Sequence, residues 1–131
     1  MPTCLKKTLS AALLGAAILA LPAQASDHGG AAAPEPLKLT VNLGKGDDLR
    51  YLQIEIAFEA GAEALQAIAA HRPKVLHQLI LLLSGETREN LLTLKGKHAL
   101  AEKIGDAVNK IIDETPKSGV HEVLFPNFII Q

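Results

Sequence analysis

The sequence predicts a small α+β domain, in which two to three helices pack on one face of an antiparallel sheet. Two observations carry this prediction. The segments Leu37 to Leu43 and Leu49 to Glu59 place an apolar side chain at every second position, which is the period of a half-buried strand. Residues 61–113 then have apolar side chains at helical spacing, and residues 120–131 return to a strand composition. We therefore expect an N-terminal hairpin, a helical layer and a C-terminal strand.

The first 25 residues have the features of a secretory signal sequence. Lys6 and Lys7 precede an apolar run over residues 9–21, and Pro22 is followed by a small-x-small cleavage site at Ala23-Gln24-Ala25. A retained anchor is the alternative, although the run is shorter than the roughly 20 residues of a membrane-spanning helix. Residues 26–36 contain small residues and prolines, which predicts a flexible leader. The folded domain is predicted to span residues 37–131.

Charge and cysteine content exclude some classes of function. Removing residues 1–25 takes away two lysines, so the net charge changes from −1 to −3. Such a chain lacks the basic surface that nucleic-acid binding requires, and we predict no nucleic-acid partner. The single cysteine, Cys4, precedes the predicted cleavage site, so the domain contains no thiol.

The hairpin strands separate apolar and polar side chains. Leu52, Ile54, Ile56 and Phe58 share one parity, and the other parity carries Tyr51, Gln53, Glu55 and Glu59. Residues 44–48 between the strands, Gly-Lys-Gly-Asp-Asp, are rich in residues that tolerate turn geometry. We expect one face of this hairpin to pack and the other to meet water or a partner.

Three helical segments are predicted after the hairpin. An alanine-rich helix covers about residues 61–70, and Pro73 suits the first turn of a second helix that ends near Leu83. The apolar side chains of this second helix extend almost all the way round it, so we expect other elements to cover it on more than one side. Its predicted buried stripe is Leu76, Leu79, Ile80 and Leu83, widened by Val75, Leu81 and Leu82.

Thr87 and Thr93 are candidate N-caps for the next two helical segments. Thr87 begins a single turn that ends near Leu92. Thr93 begins the longest helix, which runs to about Asp113 and whose predicted buried stripe is Leu100, Ile104, Ala107 or Val108, and Ile111. Gly96 in its first turn indicates either close backbone packing or fraying.

Both parities of the final strand are apolar. Val120, Leu124, Phe128 and Ile130 share one, and Val123, Phe125 and Ile129 share the other. Pro126 lacks an N–H group, which predicts an edge strand or a bulge.

No constellation of catalytic residues is present, and we predict neither an enzyme nor a cofactor. Glu55 and Glu59 lie four residues apart on one strand, about 13 Å, which is too far for the acid and base pair of a glycosidase. No two of the five histidines have the three- or four-residue helical spacing of paired metal ligands. The surfaces left over once each apolar stripe is assigned to the core are the interaction candidates: Arg50, Tyr51, Gln53, Glu55, Glu59, Pro126 and Phe128.

Five segments in this order resemble the flagellar basal-body-associated protein family FliL. They are VNL at 41–43, RYLQIEIAFE at 50–59, HRPKVLHQLILLLS at 71–84, NLLTLKGKHAL at 90–100 and VLFPNFIIQ at 123–131. The resemblance implies a stomatin-like periplasmic domain at the inner membrane, which assembles into rings around the stator units and modulates motor rotation. Two departures stand out, because the family has a membrane-spanning helix where this chain has a signal-like segment, and Thr-Asp where this chain has Pro126-Asn127.

Two other functions remain open from the sequence. A FliL-like scaffold could serve a different envelope complex, and a periplasmic module could bind a metal or small ligand through its histidines. Self-association and contact with flagellar basal-body proteins are the expected partnerships of a FliL protein at the motor.

Overall fold

A computed structural model describes residues 34–44 and 49–131 of the chain. The predicted signal sequence, most of the predicted leader and most of the predicted hairpin turn lie outside these residues. The described part contains a three-stranded antiparallel sheet of order β1-β2-β3 and four helices, which confirms the α+β prediction. The elements are β1 (Leu37–Leu43), β2 (Arg50–Ala60), α1 (Ala62–Ala70), α2 (Arg72–Ser84), α3 (Arg88–Leu91), α4 (Leu94–Ile112) and β3 (Val120–Ile130).

The hairpin forms as its alternating pattern predicts. β1 pairs with β2 in one unbroken register, from Leu37 opposite Ile56 to Leu43 opposite Arg50. The side chains of Leu52, Ile54 and Ile56 are fully buried, because β2 is the central strand and its apolar face lies under the helices. The rest of the fold is built on this face.

β3 is an edge strand whose register with β2 shifts twice. Glu55 is opposite Asn127 but Ala57 is opposite Leu124, so Phe125 and Pro126 together occupy the space opposite Ile56. This bulge confirms the prediction from Pro126. It also reverses the parity of the strand, so the prediction that Leu124 and Phe128 share a face is wrong.

α2 shows the clearest difference from prediction. Leu79 and Leu83 are fully buried, but Ile80 is 43% exposed and Leu81 is 56% exposed. The helix contacts β1, α4 and α1, so it is covered by more than one element, as predicted. The prediction that Ile80 is buried is wrong, because the buried stripe is Val75, Leu79 and Leu83, spaced by four, and Ile80 lies about 100° round the helix from Leu79.

α3 and α4 begin at the predicted caps. The Thr87 hydroxyl accepts a hydrogen bond from the Asn90 backbone N–H at 3.3 Å, and the Thr93 hydroxyl accepts one from Gly96 at 2.9 Å. A Cβ on Gly96 would overlap the carbonyl oxygen of Asn90, so close backbone packing is the reason for this glycine. α4 ends at Ile112, and its C-cap Asp113 has a left-handed backbone, φ 58°, which Asp tolerates better than most residues.

The buried stripe of α4 is Leu100, Ile104, Val108 and Ile112. Ile112 takes the place predicted for Ile111, which is half-buried. Spacing by four along the whole helix keeps these side chains on one face.

Asn109 joins α4 to the start of β3. Its side-chain amide donates to the Val120 carbonyl at 3.1 Å, and its Oδ1 accepts from the Val120 N–H at 2.6 Å. The preceding residue, Gly119, lies so close to Asn109 Oδ1 that a Cβ there would overlap it. The backbone N–H and carbonyl of Val120 thus bond to the buried Asn109 amide, where a strand residue would bond to a neighbouring strand. These bonds fix the point at which β3 enters the sheet.

Candidate interaction surface

The side of the sheet that faces away from the helices is the largest surface on which predicted interaction residues meet. We call it the outer face. It is formed by the strand positions of opposite parity to the core, and its side chains are exposed or half-buried: Lys38, Thr40, Asn42, Tyr51, Gln53, Glu55, Ala57, Glu59, Glu122, Leu124, Asn127 and Ile129. In the described part of the chain, the helices and the hydrophobic core lie on the other side.

The two ends of the outer face differ in chemistry. At one end Tyr51 and Ile129, both large and exposed, are diagonal neighbours beside the Gln53–Ile129 pair. At the other end Glu59 lies directly opposite Glu122, and like charges placed so are unfavourable in an antiparallel pair. The outer face is therefore apolar near the start of β2 and acidic near its end.

A polar row crosses the middle of the outer face. Lys38 Nζ lies 3.6 Å from Glu55 Oε1, and Asn127 is opposite Glu55 on the other side. The ion pair is largely solvent-exposed on the lysine side, so it contributes little to stability.

The structure brings together four of the seven predicted interaction residues. Tyr51, Gln53, Glu55 and Glu59 all lie on the outer face. Pro126 is exposed in the bulge of β3, at the edge of the sheet.

The other two predicted residues lie elsewhere. Arg50 is exposed at the start of β2, opposite Leu43, beside a cavity of about 500 Å³ that residues 84–89 also line. Phe128 is on the helix side of the sheet, opposite Ile54. The centroid of its ring lies 5.5 Å from that of Phe125 and 5.2 Å from Lys97 Nζ. These contacts give Phe128 a packing role.

A groove of about 430 Å³ between α4 and β3 collects titratable side chains. His98, Glu102 and Asp106 follow one another at four-residue spacing on α4, and His121 lines the groove from β3. Within the described residues, however, no three His, Cys, Asp or Glu side chains are placed to hold one metal ion. The groove gives the histidine-based alternative no ligand set.

Sequence reasoning did not find Asn109 or the apolar pair Tyr51 and Ile129. Nothing local distinguishes a buried asparagine in an amphipathic helix from an exposed one. The pairing of Tyr51 with Ile129 depends on the β3 bulge, which sets the parity of the last strand.

Among helices of the described residues, none is long and apolar enough to cross a membrane.

Comparisons with known proteins agree with the resemblance noted in the sequence. The sequence profile of the family described as "Flagellar basal body-associated protein FliL" matches residues 35–131. The "Flagellar protein FliL" of Aquifex aeolicus (strain VF5) is 29% identical over 92 residues, which are 70% of this chain and 55% of that protein. The chain thus spans little more than half the length of this relative. Because the family match covers the whole of the described domain, this chain belongs to the FliL family of flagellar basal body-associated proteins.

Proposed function

We propose that this protein is a non-enzymatic component of the bacterial flagellar base, which self-associates, contacts the stator units and modulates motor rotation. The observation that carries the proposal is the family match over residues 35–131. FliL is a family of flagellar accessory proteins and not of enzymes. A role in motility and contact with other flagellar components follow from this membership.

The outer face supports a function in binding. It presents an apolar end around Tyr51 and Ile129 next to polar side chains, and protein interfaces combine such an aromatic anchor with a polar rim. A partner that places a lysine or arginine between Glu59 and Glu122 would relieve the repulsion of these two carboxylates. We therefore assign the contact with the stator to this face, with its basic group at the acidic end.

We place the domain in the periplasm, at or near the inner membrane. The support is the signal-like segment over residues 1–25 and the absence of cysteine from residues 26–131. If the signal is cleaved, the intact mass of the protein recovered from the periplasm will start at Ser26. A protein that keeps Met1 and is found in the membrane fraction would show that the segment is an anchor.

The motor role is tested by a clean deletion complemented with variants of the full gene. We expect the deletion to reduce swimming on soft agar, and a fluorescent fusion to form spots at the flagellar base that disappear when the stator genes are removed. Normal swimming of the deletion strain, with the fusion located away from flagella, would contradict the proposal. It would favour a scaffold role in another envelope complex.

A further inference from the structure

The exposed apolar side chains are concentrated at one end of the domain. Tyr51 exchanges backbone hydrogen bonds with Gln131, each 2.9 Å long, so the start of β2 and the end of β3 lie together. The start of α4 lies there too, because Lys97 Nζ is 5.2 Å from the centroid of the Phe128 ring. Among the described residues, five of the eight exposed large apolar side chains are at this end: Leu49, Tyr51, Leu92, Leu94 and Ile129. Such a concentration distinguishes this end from a surface with scattered apolar residues.

Two of these side chains project from a hydrogen-bonded turn between α3 and α4. Leu92 is 55% exposed, and Leu94, at 72%, is the most exposed large apolar residue of the described part of the chain. Thr93 between them is fixed, because its hydroxyl donates to the Asn90 carbonyl at 2.7 Å and accepts from the Gly96 N–H at 2.9 Å. The two leucines are therefore held outside the domain before any partner binds, which lowers the entropy cost of binding.

Basic side chains border this pair of leucines. Residues 88–97, which we call the leucine turn, contain three basic residues and one acidic residue, so their net charge is +2 in a chain whose net charge is −1. Two of the basic side chains, Arg88 and Lys95, are exposed. The third, Lys97, follows Leu94 by three residues and lies on the same side of α4.

A carboxylate beside the leucine turn is neutralised within the protein. Glu86 lines one cavity with Arg88, but its side chain is only 9% exposed and its Oε1 lies 2.6 Å from Lys103 Nζ. Its Oε2 accepts a hydrogen bond from the Asn90 side chain at 3.2 Å. Glu89 is the one acidic residue of the leucine turn itself, so the turn keeps its positive charge.

We propose that the leucine turn binds the surface of a membrane that contains anionic phospholipids. Leu92 and Leu94 enter the boundary between the headgroups and the acyl chains. The basic side chains of the turn contact the phosphates around them. This contact deepens the proposed placement of the domain at the inner membrane and rests on that placement. It adds direct binding of lipid by the folded domain.

The chemistry of the turn identifies lipid as the occupant. Burying a leucine is favourable where water is excluded, and basic side chains are attracted to phosphate groups. A membrane surface offers both together, because the headgroup phosphates lie directly above the acyl chains. Lysine and arginine at such a boundary keep their charge in water, while their methylene groups lie along the apolar surface.

The opposite end of the domain provides matched controls. α4 has 19 residues and is therefore about 28 Å long. Lys117 follows its far end, and Lys74 lies in the first turn of α2, where Arg72 lines a cavity with Leu37. Charges are screened over about 8 Å at physiological salt. Lys74 and Lys117 are therefore too far from a membrane at the leucine turn to attract it.

Vesicle flotation tests the two leucines. The protein is made from the full gene, and vesicles of phosphatidylglycerol mixed with phosphatidylethanolamine are compared with vesicles of phosphatidylcholine. We expect binding to the anionic vesicles to be at least tenfold tighter and to weaken as salt is raised. Leu92→Gln with Leu94→Gln should weaken it at least tenfold. Leu124→Gln, the same substitution at an exposed leucine of the outer face, should change it by less than about twofold.

Charge reversal tests the basic side chains. Arg88→Glu with Lys95→Glu should weaken binding to the anionic vesicles at least tenfold, since each cation near an anionic surface contributes roughly fivefold. Both substitutions place an acidic residue in the first turn of a helix, which the helix dipole favours, so the fold should be kept. Lys74→Glu with Lys117→Glu changes the net charge of the chain equally and should leave binding within about twofold.

A fluorescent probe gives a readout that does not depend on the fate of residues 1–25. With Cys4→Ser, Leu94→Cys provides the single cysteine of the chain, which is labelled with the environment-sensitive dye NBD. Anionic vesicles should shift the dye emission to the blue, whether the chain is cleaved or is reconstituted with its N-terminal segment in the bilayer. The same dye at Leu124→Cys should not respond.

The outcomes separate this inference from the placement on which it rests. A protein found in the periplasm or at the inner membrane whose dye at position 94 stays in water overturns the lipid contact alone. So does binding that the control variants weaken as strongly as the leucine-turn variants do. If Leu92→Gln with Leu94→Gln lowers swimming and vesicles are not bound, the turn contacts a protein and not lipid. A protein found in the cytoplasm overturns both the placement and the lipid contact.

Discussion

Substitutions on the two faces of the sheet should have different effects: on one face they should change the stability of the domain, and on the other its binding. On the helix side, side chains such as Leu52 and Ile54 have no exposed surface, and each fits against helices held by caps and by Asn109. On the outer face Tyr51 and Ile129 are large, apolar and exposed. The first face holds the domain together, and the second is available for binding. The same three strands therefore carry stability on one side and, in our account, function on the other.

The largest expected loss of stability is in α2, where adjacent residues differ in burial. Leu79→Ala should lower the free energy of unfolding by about 2–5 kcal/mol, because it leaves a cavity in the core. Ile80→Ala, at 43% exposure, should lower it by about 1 kcal/mol or less. Urea denaturation of both variants measures the difference. Equal losses would show that Ile80 is buried, as the sequence pattern alone predicts.

Two glycines of α4 should respond in opposite directions. Gly96→Ala would force a methyl group into the Asn90 carbonyl and should cost about 1–3 kcal/mol. In Gly105→Ala the new Cβ meets only Val123 Cγ2, at 3.6 Å, so the change should be neutral or stabilise the helix by up to about 1 kcal/mol. Thermal unfolding gives the sign for each. If Gly96→Ala stabilised the protein, α3 would not be packed closely against α4 at this glycine.

Asn109→Ala should cost about 1–3 kcal/mol, because it leaves the buried N–H and carbonyl of Val120 without their partner. The control is Asn42→Ala on the exposed parity of β1, for which we expect less than about 0.5 kcal/mol. Amide hydrogen exchange adds a local measurement, since Val120 should lose protection before the centre of β2 does. Unchanged protection at Val120 would mean that Asn109 does not hold the start of β3.

How much of this could be predicted from the sequence depends on whether the information is local. The hairpin, the caps at Thr87 and Thr93 and the break at Pro73 follow from patterns within a few residues, and the structure confirms them. Local patterns do not predict which side chains of β3 face the helices. The parity of this strand reverses at the bulge in which Phe125 and Pro126 together oppose Ile56 of the neighbouring strand.

The burial of single apolar side chains could not be predicted either, because it depends on which neighbouring elements cover them. An apolar residue such as Leu81 resembles a core residue in sequence, and only the position of the other helices shows that nothing described lies over it. The same holds for the interaction candidates. Parity alone predicts that Tyr51 and Glu59 lie on one face, as they do, but Phe128 can be assigned to the helix side only when the bulge is known.

The central claim is that the outer face carries the function without carrying the stability. Its most direct test is the double variant Tyr51→Ala with Glu59→Lys in the full gene, compared with Glu63→Lys, an exposed control on α1. We expect the double variant to change the free energy of unfolding by less than about 1 kcal/mol. Its swimming should match that of the deletion strain, while Glu63→Lys swims as the wild type does. A double variant that is folded, present at the normal level and swims normally would contradict the claim.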